Sequence, residues 1–368
     1  MQSMTGICAQ PLTDITFIMD AERLLGAMNK CCNGVRWKRS IQEFEINKLR
    51  WAASIRKAVL LGTFKSKGFV QFDIVERGRL RHIQSVHVSE RTVQKLICNY
   101  ALKPYVLPKL IYDNPASQEG KGTEFALKRL VEHLRWHYAR YGNEGAAAVI
   151  DFHDFFGSIP HAEIIDELTD ESFDALLAKY IADFINAFDG DYGLGLGSEI
   201  SQVAAIYYPT DIDRFIQEQM HIHCYGRYMD DTYIFHPDRA RVERCVEYIG
   251  QMAEARHITL NVNKTKIHNL RTDTFVFLKK RVRLLDNGKV LLRLSRENIN
   301  EERKRIVYMR SEYDNGRMPT DSIKQSYASW RGHAKKYNAY HVIGDMDKYF
   351  YGIMGDILNE KCTISRAG

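Results

Sequence analysis

The chain has 368 residues, 45% apolar and 27% charged, with a net charge of +6. That length holds two or three domains around a substantial core, with the composition of an ordinary soluble globular protein. No run approaches the ~20 apolar residues of a membrane helix, Met1 to Gly6 lack a secretory signal, and seven irregularly spaced cysteines form no disulfide framework, so a reducing, cytoplasmic setting without membrane contact is expected.

Residues 1–40 carry mixed signals and read as an N-terminal extension. From Ile41 to Leu61 the apolar spacing predicts a helix stopped by Gly62. Phe69 to Ile83 alternates around Glu76-Arg77-Gly78-Arg79, the pattern of a hairpin. A helix over Glu90 to Tyr105, a polar loop over Asn114 to Thr123 and a helix from Glu124 to about Tyr141 follow. Ala146 to Ile150 is a short apolar run ending at Asp151, as in a buried strand with a carboxylate at its end. Ile181 to Phe188 predicts helix, Gly190 to Gly197 a loop, and Glu199 to about Met220 one long helix. Tyr225 to His236 predicts a hairpin, Arg239 to Arg256 an amphipathic helix, and Ile258 to Val262 and Phe275 to Leu285 strands. Basic helices run from about Ser295 to the end. This order implies an α+β core with helical ends.

The hairpin carries Tyr228-Met229-Asp230-Asp231 at its turn. Asp-Asp on its own is a common turn signal. Adjacent carboxylates repel, however, and a divalent cation between them relieves the repulsion. A third carboxylate from a neighbouring strand end, Asp151, would complete an oxygen-rich set able to hold two Mg²⁺ ions for phosphoryl transfer. His221, His223, Cys224 and His236 match no familiar zinc spacing and read as ordinary polar or core positions. Between Lys279 and Lys348 there are 17 Lys/Arg against 9 Asp/Glu, a surplus that suits a polyanion and equally a solvated helical face.

Asp151 with Phe155-Phe156-Gly157-Ser158-Ile159, the segment Gly193 to Gln202, Tyr228-Met229-Asp230-Asp231, Leu260-Asn261-Val262-Asn263-Lys264-Thr265, Phe277-Leu278 and Gly120-Lys121-Gly122-Thr123 stand in a specific order. In that order, over about residues 45 to 350, the chain resembles the reverse transcriptases, in particular their bacterial and phage retroelement branch. The resemblance implies a right-hand polymerase fold: fingers at 41–145, palm at 146–285 interleaved with fingers elements, and a basic helical thumb at 286–368. It implies Asp151, Asp230 and Asp231 as catalytic metal ligands, with Phe152 in the metal and nucleotide set, and Mg²⁺ as the ion, with Mn²⁺ as an alternative. Phe156 stands at the steric gate against a ribose 2′-hydroxyl, while Phe155 packs into the core. Arg79 and Arg81 fall where such enzymes set cations on the incoming triphosphate, a task suited to the guanidinium fork. Lys264 matches the lysine that protonates departing pyrophosphate. Phe277-Leu278 falls in the primer grip, with Lys279 where glycine is frequent. Lys121 would reach template or phosphate, or sit in a plain turn.

Leu196 stands where many reverse transcriptases have a glutamine on the incoming nucleotide, and Gln202 where they have proline. That pattern is similar to diversity-generating retroelements and some phage-defence polymerases, and implies reduced or unusual fidelity. The implied partners are an RNA template from a dedicated non-coding RNA, a DNA product, dNTPs, and an accessory protein or a second copy of the chain. No RNase H, endonuclease or maturase extension is expected, and the Val-Thr-Gly element of retron enzymes is missing. Alternatives are template-independent or protein-primed DNA synthesis in phage defence, and an inactive nucleic-acid-binding scaffold. Trp330, among basic residues at helical spacing, reads as a thumb-core or a duplex-stacking residue.

Overall fold

The computed structural model describes residues 14–76, 79–169 and 172–359. Its first layer is helical. α1 (Ile15–Ile18) and α2 (Ala21–Cys32) are capped by Asp14 and Asp20, whose carboxylates accept from backbone N–H groups of the first turn. α3 (Arg39–Ile46) and α4 (Lys48–Leu60) take the place of the single helix expected over Ile41 to Leu61. The break is Asn47, whose side-chain amide donates back to the Glu43 carbonyl at 3.1 Å, the local competition that makes Asn a poor interior helix residue.

β1 (Phe69–Glu76) and β2 (Arg79–Val86) form the expected antiparallel hairpin, with Phe72 opposite Ile83. α5 (Val88–Ile97) runs through a π turn into α6 (Lys103–Val106). α7 (Thr123–Tyr141) follows the polar loop. Next come β3 (Ala146–Ile150), β4 (Phe152–His153), α8 (His161–Leu168) and α9 (Ala175–Ile185). The long helix expected from Glu199 to Met220 is divided into α10 (Glu199–Tyr207), α11 (Thr210–Arg214) and a π turn. Pro209 divides it, lacking the N–H and crowding the preceding turn.

β5 (Cys224–Tyr228) and β6 (Asp231–His236) make the hairpin, and α12 (Arg239–Ala255) is capped by Asp238. β7 (Thr259–Leu260), β8 (Lys266–Asn269), β9 (Phe275–Phe277), β10 (Lys280–Leu284) and β11 (Val290–Leu294) follow. The strand expected over Phe275 to Leu285 is two strands, because Leu278 and Lys279 take φ of 46° and 60° and fold β10 back onto β9. The basic helices are α13 (Arg296–Asp314), α14 (Thr320–Ala334) and α15 (Tyr340–Asn359).

The central sheet has the order β5-β6-β3-β8, antiparallel throughout. Every residue of β3 is buried, and the period of two divides its side chains between two cores. Ala146, Ala148 and Ile150 pack with the N-terminal helices and α8 to α12; Ala147 and Val149 pack with α7, β9 to β11 and the Ala334–Ile343 segment. Burial of a side chain such as Val149 or Ile150 contributes about 1.5–3 kcal/mol, so the strand ending at Asp151 is firmly seated. α13 to α15 enclose a third core, and Trp330 packs against both it and the second, stacked on Tyr327 at 5.7 Å.

Candidate active site

The register of the sheet brings the charged residues together. β3 pairs with β6 as far as Ile150 opposite Thr232, so the next step sets Asp151 opposite Asp231. On its other edge β3 pairs with β8 as far as Val149 opposite Lys266, and two further steps reach Asp151 and Lys264. Directly opposed residues share a face in an antiparallel pair. The Lys264 ammonium closes on the Asp151 carboxylate at 2.8 and 3.1 Å, with Asp151 15% exposed. A tight turn places that lysine: Asn261 donates from its backbone to the Asp151 carbonyl (2.8 Å) and accepts from the backbone of Lys264 (3.1 Å) and Thr265 (2.8 Å).

Tyr228 pairs with Asp231, leaving Met229 and Asp230 as a two-residue turn. Met229 takes φ of 56°, the left-handed region, which costs a residue with a Cβ on the order of 1–3 kcal/mol unless its surroundings impose it. Arg227, 2% exposed, donates from Nη1 to the Met229 carbonyl at 3.1 Å.

A second wall comes from Phe156 and the glycine-rich loop. Backbone bonds join Leu194 to the Phe156 carbonyl (2.8 Å), Gly193 to that of Ile159 (2.9 Å), and Gln84 of β2 to that of Leu196 (3.0 Å). Gly197 takes φ of 112° where an added Cβ would lie 3.1 Å from the Gln84 carbonyl oxygen, so both conformation and close approach call for glycine. Past the loop, Glu199 receives Lys95 (2.7 Å) and Lys103 (2.6 Å). Burial opposes its ionisation, but these two lysines outweigh burial and hold its pKa below the usual carboxylate value. The start of α10 is thereby fastened to α5 and α6.

Two adjoining cavities share Phe156, Gly195 and Leu196. The smaller, about 430 Å³, also meets Gln202, Lys121, Tyr228 and Met229. The larger, about 830 Å³, also meets Phe72, Ile83, Phe152, Asp154, Asp230 and Lys264. Gln202 accepts from the Ser117 hydroxyl at 3.3 Å. Burial lowers the Lys121 pKa, opposed by Asp113, and its ammonium stands 4.8 Å from the centre of the Tyr112 ring.

The expected site residues thus divide into three groups. Phe156, Leu196 and Gln202 gather around the smaller cavity, and Phe152, Phe156, Leu196, Asp230 and Lys264 around the larger. Asp151 stands beside them through Lys264. Arg79 and Arg81 lie on β2, the strand whose Ile83 and Gln84 line the larger cavity, but their side chains fall outside the described residues. Phe152 lines the larger cavity while being 4% exposed, and its ring packs on Phe155, so its main-chain oxygen is the atom it could offer an ion. Phe277 is also a core residue, its ring 5.0 Å from that of Tyr233.

Hard carboxylate oxygens on neighbouring strand ends are suitable donors for a divalent cation. Among the described residues no three His, Cys, Asp or Glu side chains converge as a metal group, which departs from the expected Asp151, Asp230 and Asp231 set. Asp151 is paired with Lys264, and the donor chemistry and the register fit a divalent ion.

Sequence reasoning missed the supporting polar pairs: Arg227 with Asp213 behind the turn, Asp113 with Arg129 and His133 of α7, and Glu199 with Lys95 and Lys103 past the glycine-rich loop. The one visible signal was Arg227, a charge inside an otherwise apolar strand pattern. Comparison with curated proteins finds no match. The profile of the reverse transcriptase (RNA-dependent DNA polymerase) family matches residues 65–307, which hold β1 through most of α13 and both cavities. The family works with a divalent cation such as Mg²⁺, an RNA template, dNTPs and a DNA product. With about two thirds of its length matched, the chain belongs to the reverse transcriptases and is an RNA-directed DNA polymerase of the right-hand fold.

Proposed function

We propose that the sheet end bearing Asp151, Asp230 and Asp231 is the nucleotidyl-transfer centre of this polymerase, formed within a palm at 146–285, with fingers at 41–145 and a thumb at 286–368. The observation that supports this most is the register that sets Asp151 opposite Asp231 and Lys264, beside cavities walled by Phe156 and Leu196. Two bound Mg²⁺ ions, or Mn²⁺ in their place, would supply Lewis-acid activation of the primer hydroxyl and neutralise phosphate charge.

The chain's own residues account for the rest. Asp151, Asp230 and Asp231 hold the cations, with the Phe152 carbonyl as an added oxygen. Phe156, wedged between the cavities, excludes a 2′-hydroxyl and selects deoxynucleotides. Arg79 and Arg81 bind the triphosphate. Lys264, released from Asp151, donates a proton to the departing pyrophosphate. Leu196 offers the nucleotide an apolar wall instead of an amide, which lowers fidelity, and Gln202 braces the opposite wall through Ser117. The setting is a bacterial or phage retroelement using a dedicated non-coding RNA, in antiphage defence or diversity generation.

Primer extension on an RNA template with Mg²⁺ tests the centre. Wild type should incorporate dNTPs, and Asp230→Ala/Asp231→Ala should fall to background. A double variant that still extends would remove the carboxylates from the mechanism.

A further inference from the structure

Arg227 sits behind the turn rather than in either cavity, and it is more elaborately bonded than a structural ion pair requires. Its Nε meets both Asp213 oxygens at 2.9 Å, and Nη2 meets one of them at 2.7 Å. Asp213 is 0% exposed and also accepts from the Tyr225 hydroxyl at 2.6 Å. That pairing already satisfies the charge. Yet Nη2 reaches on to the Ile206 carbonyl at the end of α10 (2.8 Å), and Nη1 to the Met229 carbonyl (3.1 Å). One planar group thus joins the last turn of α10, a buried carboxylate and the turn carrying Asp230.

We propose that Arg227 is the positioning residue of the catalytic turn: anchored by Asp213, it holds the Met229 carbonyl, so Met229 keeps its left-handed backbone and Asp230 and Asp231 are presented in a fixed direction. Among the described residues the Arg227 side chain is the donor to the Met229 carbonyl. The backbone N–H of Arg227 is separately bound by the Asp113 carbonyl (3.0 Å), and the Ile206 carbonyl also accepts from the Asn114 amide (3.2 Å). Removing the guanidinium leaves the strand edge, the end of α10 and the Tyr228–Asp231 pair in place and takes away this donor to the Met229 carbonyl. Lysine cannot take over, because a single ammonium cannot span three acceptors that a planar fork reaches together.

The inference rests on reading Asp230 and Asp231 as catalytic, so the experiment includes Asp230→Ala/Asp231→Ala as a reference. The test variants are Arg227→Lys and the charge-neutral pair Arg227→Met with Asp213→Asn, in which the new amide oxygen still accepts from Tyr225. Each is examined for cooperative melting, for Mn²⁺ binding by electron paramagnetic resonance, and for kcat and dNTP KM in single-nucleotide extension. The expected result is a folded protein with kcat down roughly a hundredfold, the scale of a misplaced catalytic group. The dNTP KM should stay within a few-fold and Mn²⁺ binding should weaken. Folded variants with near-normal kcat and Mn²⁺ binding overturn the proposal, as does loss of the cooperative melt in both, since Arg227 would then only fasten the core. If the reference double variant is itself fully active, the reading of the turn fails instead.

Discussion

Leu196 lines both cavities and its backbone is pinned to β2 through the Gln84 N–H. In the proposed nucleotide site an apolar side chain there, unlike an amide, could sort nucleotides only by shape. A site that hydrogen-bonds its substrate discriminates far more strongly than an apolar wall. Leu196→Gln should lower the misincorporation frequency several-fold, read by sequencing products copied from one defined RNA; an unchanged error spectrum would sink the link between Leu196 and fidelity. At this scale the sequence was informative wherever chemistry needs a particular side chain. Asp151, Asp230, Asp231, Phe156 and Lys264 were expected from the family resemblance, and the fold sets Asp151 opposite Asp231 and Lys264 and puts Phe156, Asp230 and Lys264 on the larger cavity. Arg227 and Asp213 could not be picked out, because 14 residues and a strand boundary separate them and only the folded chain shows that they meet.

α7 supports the hairpin from its other side through a buried polar cluster. His133 on α7 receives Arg129 on Nε2 (3.2 Å), so the neutral ring carries its proton on Nδ1 and donates to the Tyr233 hydroxyl on β6 (3.0 Å). Burial pushes the His133 pKa down to about 4; Asp113 and Glu132 oppose the shift, while Arg129 and His223 reinforce it. The sign follows from linkage. Below pH ~6.5 the unfolded chain binds a proton that the folded one refuses, so stability falls as pH drops toward 4 and is unaffected above 7. Urea unfolding should show about 2 kcal/mol lost to this group between pH 7 and pH 5, and His133→Gln should flatten that slope; an equally steep variant would locate the effect elsewhere. Elements were legible where periodicity and caps agreed, as in β3 and α12. They were misread where one residue overrides the pattern: Asn47 within the first long helix, Pro209 within the second, and Leu278-Lys279 folding one strand into two. β8 was missed because Lys266 to Asn269 holds a single apolar residue, whereas β11 went unread although four of its five residues are apolar.

Across the whole molecule charge is concentrated at the two ends. Lys30 to Gly68 hold ten Lys/Arg against two Asp/Glu, and Lys279 to Lys348 hold 17 against nine. Each surplus exceeds the +6 of the whole chain, so the remainder is net acidic. The proposed thumb should carry the RNA–DNA duplex, since its helices continue directly from β9 to β11 and share their core. Lys304, Lys324 and Lys335 are exposed there, and Lys38, Arg50 and Lys57 are exposed in the N-terminal layer. Every phosphate that the protein ceases to neutralise should flatten the plot of log affinity against log salt by about 0.9. Duplex binding measured by fluorescence anisotropy over a salt series should therefore flatten by as much as about 2–3 in Lys304→Ala/Lys324→Ala/Lys335→Ala. The equal charge change Lys38→Ala/Arg50→Ala/Lys57→Ala should leave the slope nearly untouched. The reverse ranking would move the duplex onto the N-terminal layer, because counter-ion release reports where phosphates touch the protein, whereas net charge is altered equally by both sets.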